Sequence, residues 1–472
     1  MTIRFLTPWG QYALGAAVSL TAAEEAQLVA AGLATTDLTG GVPWFSPGIT
    51  SRRIGNVVMP MLGRSGVVRL YSTLASQTLS AGAGTGRTLD VERSVDAPHL
   101  ALQPVFGNWS RTNPLTINKW AVGTAGAHQS QTIAAIQAAG RWVNGSFAAG
   151  SSASGIVPVA SIGTLQSAEV MPGLLAGDPV SIPDTARTDG GATPMTRWLV
   201  SVADSVETGL LGSATRITAI NANPSLYGGH QTAGYTQQGD AIASKPGTSL
   251  LLVGHQDVIV AVRAWYQAAT LGLAAFGDSR GQGLGSTGDY AGSIMRTAQA
   301  LRRSTLVTSW ACHAIAGQTH LASMATIRNT LAEPALRPEV MGLEVGSPNS
   351  LTGSLSTTAA LAMIERCWTD TCQTVAYAAS LGIVSLIRTS PAHNLSATND
   401  VYRRALNQRL RDNIQSLPNA ILIDAATVID DPATGYRTLL AAYNSGDGVH
   451  YNDAGYAAIS ALEVAALQPF FV

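Results

Sequence analysis

Cysteine, charge and long apolar runs are all scarce in this chain of 472 residues. Three cysteines cannot build a disulfide framework, and no cluster of cysteine and histidine has the spacing of a zinc site. Charged residues make up 12% of the chain and the net charge is −1, with no basic stripe, which argues against a nucleic-acid partner. No strongly apolar run of about 18 uncharged residues stands out, so we expect no membrane insertion. We expect neither a metal nor a cofactor.

Apolar residues make up 46% of the chain, which suits a folded protein, and 472 residues are too many for one ordinary core. Patterning divides the chain at about residue 269, where the apolar period changes. We therefore predict a multidomain protein with a small unit over residues 1–45, a β-rich domain over 46–268 and an α/β domain over 269–472.

The first unit combines a strand pattern at residues 3–9 with a helix pattern that starts in a capping box. Thr21 is the predicted N-cap, Glu24 the N3 residue, and Gly32 the stop signal. No basic region precedes the short apolar stretch beyond Arg4, so no clear signal peptide is present. This unit resembles the short N-terminal modules of phage tail and virion-associated proteins. The alternative is a packing appendage of the next domain.

Residues 46–268 alternate apolar and polar side chains, for example over 88–95 and 115–122, with frequent Gly, Pro and Asn turns between the runs. Many short strands with turn signals favour an all-β sandwich or jelly roll. Four tryptophans in this segment either stack on sugar rings or fill the core. They are Trp109, Trp120, Trp142 and Trp198.

From residue 269 onward, near-continuous apolar runs alternate with helical segments, which predicts a parallel sheet covered on both faces, a three-layer α/β fold. Ligands of such sheets bind beyond the carboxyl ends of the strands. Cys367 and Cys372 lie five residues apart on one predicted helix, roughly 140° around its axis, so they should not face each other.

The chemistry-bearing residues stand at the two ends of this α/β segment. Ser279 lies in "AAFGDSRGQG", a tight turn after an apolar run, and Asp447 and His450 lie three apart in "GDGVHYND". A serine hydroxyl is a poor nucleophile until an imidazole takes its proton, and the imidazole needs a carboxylate to fix its tautomer and stabilise its charge. The three residues are therefore candidates for a catalytic triad.

The Gly-Asp-Ser block followed by Asp-x-x-His resembles the SGNH or GDSL-type serine hydrolases, and the resemblance covers about residues 269–472. It implies a flavodoxin-like α/β fold and ester hydrolysis. It also implies an oxyanion hole in which a glycine N–H and an asparagine side chain join the N–H of Ser279. Gly317 and Asn349 match these two positions.

The third block departs from the family pattern, because "VGSPNS" separates Gly346 and Asn349 by one extra residue. Ser347 or Ser350 could therefore replace Asn349 as the oxyanion donor. Nearby, Asn452 and Asp453 suit caps of the last helix. Asp278 suits a structural role in the nucleophile turn.

Other polar residues near the expected cleft allow two interpretations. Arg280 either contacts an acidic sugar or is an ordinary solvated or ion-paired side chain. Three histidines, which have no metal-like partners in the sequence, are expected to line the pocket or lie at the surface. They are His313, His320 and His393.

These patterns predict a serine esterase that removes a small acyl group, most simply acetyl, from a carbohydrate or polysaccharide. We expect the β domain to hold the polymer and residues 1–45 to attach the enzyme to a virion or another assembly. That assembly could also be a homo-oligomer of this chain. Virion-associated or extracellular action at a cell surface follows. The alternatives are a lipase or small-ester hydrolase, and a receptor-binding protein whose hydrolase domain only recognises a glycan.

Overall fold

The computed structural model describes residues 355–471 without interruption, and it describes the preceding part of the chain in ranges separated by gaps. The described ranges are 2–5, 17–19, 34–35, 51–54, 56–60, 64–66, 77–79, 87–94, 99, 101–108, 113–125, 136, 139–159, 161–162, 170–171, 173–182, 195–202, 206–208, 232–238, 258–265, 269–287, 291–303, 306–332, 336–353 and 355–471.

The strands of the described residues are numbered in chain order. They are β1 (Thr2–Phe5), β2 (Ala17–Ser19), β3 (Ala34–Thr35), β4 (Ser51–Ile54), β5 (Val57–Pro60), β6 (Arg64–Gly66), β7 (Gln77–Leu79), β8 (Arg87–Ser94), β9 (Ala101–Asn108), β10 (Leu115–Ala125), β11 (Trp142–Asn144), β12 (Gly155–Val157), β13 (Ser161–Ile162), β14 (Val170–Met171), β15 (Gly173–Ala176), β16 (Met195–Val202), β17 (Val206–Thr208), β18 (Thr232–Gln238), β19 (Ile259–Trp265), β20 (Ala269–Phe276), β21 (Leu306–Cys312), β22 (Val340–Glu344), β23 (Val384–Arg388) and β24 (Ala420–Ile423).

Seven α-helices of the described residues follow residue 269. They are α1 (Ser279–Gln282), α2 (Ser293–Leu301), α3 (His320–Ala332), α4 (Thr357–Ser380), α5 (Ala397–Asn413), α6 (Ala425–Ile429) and α7 (Asp453–Leu467). Single 3₁₀ turns occur at Ile414–Ser416, Pro432–Thr434, Ala441–Tyr443 and Gln468–Phe471.

At the N-terminus, β1 pairs with β2 and β3 in a small antiparallel sheet. The strand predicted at residues 3–9 is therefore present in its first part. The helix predicted between Thr21 and Gly32 lies outside the described residues.

Two larger antiparallel sheets lie in the described part of the β-rich segment, besides three two-stranded ones. One has the strand order β11-β10-β16-β8-β18, with β12 also paired to β10, and the other has the order β15-β9-β19-β6. The strands predicted from alternation at 88–95 and 115–122 are confirmed as β8 and β10. Phe106 on β9, Trp120 on β10 and Val262 on β19 belong to one hydrophobic core, so the two sheets share it. The sandwich or jelly-roll topology as a whole stays a prediction.

Two of the four tryptophans named above fill the core. Trp120 and Trp198 are at most 1% exposed, and their rings stack with centroids 5.9 Å apart. The idea that these two stack on sugar is therefore wrong, because a sugar ring cannot reach them. Trp142 is half-buried and packs beside Leu199. Trp109 lies outside the described residues.

The α/β segment forms a five-stranded sheet in the order β21-β20-β22-β23-β24, with every pair parallel. Counted along this segment the order is 2-1-3-4-5, which is the flavodoxin-like order that we predicted. Side chains of β20 alternate between two cores: Leu273 packs on the side of α2 and α7, and Phe276 on the side of α3, α4 and α5. Helices thus cover both faces, which explains the continuous apolar runs of the strands.

Helix α4 carries Cys367 and Cys372, and both cysteines are free, in agreement with their predicted separation around the helix. Cys367 is fully buried in the core beneath β20.

The last helix is apolar enough, by length and composition, for Asp453–Phe471 to cross a membrane. Its packing instead makes it part of the core. Tyr456, Ile459 and Leu467 are buried against β20 and α2, and Glu463 is fully buried in an ion pair of 2.6 Å with Arg388 on β23. The predicted cap is present, because the Asn452 side chain accepts a hydrogen bond from the backbone N–H of Gly455 at 3.0 Å.

The hairpin β4–β5 packs on the parallel-sheet core, although it precedes the antiparallel sheets along the chain. Val57 and Met59 are buried in the same core as Leu273. At the hairpin turn, the side-chain amide of Asn56 donates to the carbonyls of Gln415 and Leu417 at 2.9 and 2.7 Å. The stability of the parallel-sheet unit therefore depends on residues that the sequence assigned to the segment 46–268.

We predict that Met59→Ala lowers the free energy of unfolding of the parallel-sheet unit by roughly 2–5 kcal/mol, because it removes a fully buried side chain and leaves a cavity. Ile54→Ala, on the same hairpin but 43% exposed, is the matched control and should change it by no more than about 0.5 kcal/mol. Urea unfolding of both variants measures the difference. Equal, small effects would contradict the packing of the hairpin on this core.

Candidate active site

The nucleophile candidate lies in a sharp turn at the carboxyl end of β20. Gly277 has φ +120°, a backbone conformation that L side chains rarely adopt, and this turn brings the chain directly from the strand into α1. The Asp278 side chain caps the short helix, because its Oδ1 accepts a hydrogen bond from the N–H of Arg280 at 2.9 Å. Ser279 is thereby fixed at the first position of α1.

Ser279, His450 and Asp447 form one hydrogen-bonded row, although 171 residues separate the serine from the histidine. The Ser279 Oγ lies 2.8 Å from His450 Nε2, and His450 Nδ1 lies 2.5 Å from Asp447 Oδ2. With Nδ1–H donated to the carboxylate, Nε2 is left free to accept the serine proton. The row therefore has the geometry of a general base poised on a hydroxyl nucleophile.

Hydrogen bonds keep the Asp447 carboxylate charged. Partial burial alone would raise its pKa, but the His450 ring and the backbone N–H groups of His450 and Val449 outweigh burial and hold the pKa of Asp447 well below its usual range. Both N–H groups donate to Oδ1 at 2.8 Å. The carboxylate thus stays ionised throughout the pH range in which imidazoles titrate.

The loop after β21 lies along the nucleophile turn. The N–H of His313 donates to Ala275 O at 2.8 Å, and that of Ile315 donates to Gly277 O at 2.9 Å. Gly317, two residues farther on, is exposed and has φ +84°. Among the described residues, neither its N–H nor that of Ser279 has an acceptor, so both are available to an oxyanion.

Asn349 lies beside this loop, since its side-chain Nδ2 donates to Gln318 O at 2.9 Å. The extra residue of "GSPN" is accommodated by Ser347, whose hydroxyl donates to Asp278 Oδ2 and accepts from the N–H of Asn349 at 3.2 Å. Ser350 is buried and its Oγ accepts from the N–H of His320 at the start of α3. Both serines are therefore buried and hold the turn. Asn349 is exposed as a residue, although its Nδ2 also donates to Ser347 Oγ at 3.3 Å.

The Arg280 side chain is buried and cannot contact a ligand in the cleft. It is 1% exposed and forms an ion pair with Glu344 at the end of β22, at 2.7 Å. The interpretation that it contacts an acidic sugar is therefore wrong. Glu344 was not among the residues expected from the sequence, although a carboxylate within the apolar run "EVMGLEVG" indicates that it needs a buried partner.

A second missed contact comes from Asn394, whose side-chain amide donates to the backbone carbonyl of Asp447 at 2.8 Å. The sequence predicts that Asp453 caps the last helix together with Asn452, but the structure gives its carboxylate other partners. Its carboxylate accepts from Ser286 and from Arg296, so it ties the loop after α1 to helices α2 and α7.

The three other histidines are buried rather than exposed. Burial lowers the pKa of His320 to about 4. Burial and then the positive charge of Arg280 lower the pKa of His393 to about 4, and its Nε2 lies 2.9 Å from Leu351 O. The His313 ring packs 5.0 Å from the Phe276 ring. Within the described ranges, no group of three or more His, Cys, Asp or Glu side chains could hold a metal ion.

No protein-family model matches the chain, and no curated protein matches it. Several solved structures of lipases and esterases are similar to it. The lipase Lip_vut3 from a goat rumen metagenome is 19% identical, and the match covers 42% of this chain and 97% of that one with a TM-score of 0.36. A member of the lipolytic protein G-D-S-L family from Veillonella parvula is 16% identical, with 42% and 99% covered and a TM-score of 0.33. The esterase EstA from Pseudoalteromonas is 11% identical, with 42% and 98% covered and a TM-score of 0.32.

We predict that His320 and His393 make the fold acid-sensitive. The unfolded chain binds their protons near pH ~6.5, whereas the folded protein binds them only near pH 4, so stability is lost as pH falls through this window. From pH 7 to 4.5 the loss should be roughly 2–3 kcal/mol per histidine. His320→Gln, which cannot titrate, should show a smaller loss in urea unfolding at the two pH values. Identical losses in wild type and variant would contradict a neutral buried His320.

Proposed function

We propose that the chain is a serine esterase that hydrolyses small acyl esters, with acetyl groups on a carbohydrate as its substrate class. The observation that carries the proposal is the row Ser279–His450–Asp447, in which each atom has the partner that acyl transfer requires.

In the first half of the reaction, Ser279 Oγ attacks the ester carbonyl carbon while His450 Nε2 takes its proton. Asp447 stays a carboxylate and stabilises the imidazolium that forms. The negative charge on the carbonyl oxygen is stabilised by the N–H groups of Ser279 and Gly317 and by the Asn349 amide. When the tetrahedral intermediate collapses, the C–O bond to the alcohol breaks, and His450 returns its proton to the leaving oxygen.

In the second half, a water molecule attacks the acyl-enzyme and His450 takes a proton from it. The second tetrahedral intermediate collapses with release of the acid, and the proton returns to Ser279 Oγ. The same groups serve both halves, because the oxyanion occupies the same position in each.

The choice of a polymeric substrate is supported by how open the site is. The Asp447 side chain is 49% exposed, and Gly317 and Asn349 both lie at the surface. An acyl group carried on a large, rigid polymer can approach such a site without having to enter a deep cavity. Since Trp120 and Trp198 are core residues, polymer contacts in this proposal come from the exposed rim of the site.

Placement on a virion or outside the cell is part of the same proposal. It is supported by the resemblance of residues 1–45 to attachment modules of phage tail proteins.

We predict that the protein releases acetate from acetylated polysaccharides and from p-nitrophenyl acetate, and that Ser279→Ala abolishes both activities. Loss of a triad member costs about 10⁴–10⁶ in rate. The thermal melt should remain nearly unchanged, since only one hydroxyl group is removed. A variant that keeps more than a tenth of the wild-type rate would refute the nucleophile. Hydrolysis of aryl esters without any acetate release from polymers would refute the carbohydrate substrate and favour a small-ester hydrolase.

We further predict that Asn349→Ala lowers kcat roughly 10²–10³-fold with little change in KM, as expected for the loss of one oxyanion donor. Ser350→Ala is the control, because Ser350 is the nearby serine that holds α3. Steady-state kinetics on p-nitrophenyl acetate separates the two constants. A loss of kcat in the serine variant, with none in the asparagine variant, would mean that the extra residue has moved the donor.

A further inference from the structure

We propose that Arg280, the residue after the nucleophile, is the positioning residue of His450: its buried guanidinium holds the residues on both sides of the histidine and thereby sets the Ser279–His450 distance. This inference rests on the proposed esterase function. It is carried by contacts of the guanidinium that no motif in the sequence indicates.

On the N-terminal side of His450, the Nε–H of Arg280 donates to Val449 O at 2.8 Å. On the C-terminal side, the guanidinium carbon lies 4.8 Å from the centre of the Tyr451 ring. The Arg280 side chain thus contacts the residues immediately before and after the histidine. Arg280 is also the immediate neighbour of Ser279 in α1. The positions of the nucleophile and of the base therefore both depend on this one side chain.

The other end of the guanidinium is anchored in the sheet. Its Nη1 donates to Glu344 Oε1 at 2.7 Å and to Pro391 O at 3.1 Å, and its Nη2 donates to Ala392 O at 2.7 Å. Glu344 closes β22, and residues 391 and 392 follow β23. The base is therefore tied, through one cation, to the carboxyl ends of β22, which pairs with β20, and of β23, the next strand in the sheet.

Tyr451 completes the arrangement. Burial raises the pKa of its phenol well above the usual value, so its hydroxyl stays protonated and donates to Glu344 Oε2 at 3.1 Å. Glu344 therefore receives one hydrogen bond from Arg280 and another from the residue that follows His450. The ion pair and the ring contact support each other.

Only an arginine side chain can make these contacts together. They need donors in a planar fork that point in three directions, and a flat cation that lies over an aromatic ring. Burial disfavours the charge of Arg280, but Tyr451, Glu344 and Asp278 outweigh it and raise the pKa above its usual value, so the cation persists at every working pH. A lysine would keep the charge and lose the fork.

The test compares Arg280→Lys with Arg388→Lys. Arg388 is the matched control, because it too is buried and ion-paired, with Glu463 at 2.6 Å, but touches neither Ser279 nor the loop that carries His450. The measurements are kcat and KM on p-nitrophenyl acetate, the thermal melt, and the downfield proton NMR signal of the His450 Nδ1–H.

We predict that Arg280→Lys lowers kcat roughly 10–100-fold with little change in KM, since a displacement of about 1 Å at a catalytic group has this cost. Its Nδ1–H signal should shift or broaden. Arg388→Lys should lower the melting temperature while kcat stays within about twofold of wild type and the NMR signal stays in place. Equal losses of kcat in the two variants, or an unchanged signal in Arg280→Lys, would overturn the positioning role and leave a purely structural one.

Tyr451→Phe keeps the ring and removes only the hydroxyl, so it provides the test if Arg280→Lys fails to fold. It should lower kcat in the same direction by a smaller factor and shift the same signal; a wild-type rate and signal would overturn the proposal. If the wild-type protein hydrolyses no ester, the proposed function fails, whereas the NMR comparison still decides whether Arg280 positions His450.

Discussion

The site depends on the burial of one positive charge. Moving a guanidinium out of water costs roughly several kcal/mol. This cost is offset only where hydrogen-bond acceptors surround the guanidinium with good geometry. Arg280 meets that condition because the carboxyl ends of β22 and β23 and the loop before Tyr451 supply a carboxylate and three carbonyls. Each of these segments is held in place because it accepts a hydrogen bond from the same guanidinium. A shift of any one of them would leave the charge partly unpaired, so the arrangement is stiff.

The order of the parallel sheet explains why these segments meet. Strand β20 lies inside the sheet with β21 on one side and β22 on the other, so the chain leaves its carboxyl end at the point where the strand order reverses. Ser279 follows β20 directly, and Gly317 and Asn349 follow the two neighbouring strands. His450 comes from the last loop before α7, and the packing of that helix against α2 and β20 brings the loop back over this edge.

Much of this could be predicted from the sequence, because it depends on local patterns. The apolar runs after residue 269 predicted the strands of the parallel sheet. The Gly-Asp-Ser and Asp-x-x-His blocks predicted three side chains that the structure brings into one row. What could not be predicted depends on long-range pairing. Arg280 and Glu344 are 64 residues apart, and Asn56 contacts a carbonyl 361 residues away. No period or motif records which distant charge or carbonyl a side chain will meet.

The two carboxylates near His450 have different roles: Asp447 contacts the imidazole, whereas Glu344 supports the loop from below. Asp447 is 49% exposed and is kept ionised by the imidazole and two backbone N–H groups, so its partner His450 can gain and lose a proton against a fixed negative charge. Glu344 is 7% exposed and is paired with a cation that never titrates. A proton can therefore move between Ser279 and His450 without disturbing the pair beneath them. The supporting pair stays fixed while His450 exchanges a proton with Ser279, as the proposed acyl transfer requires.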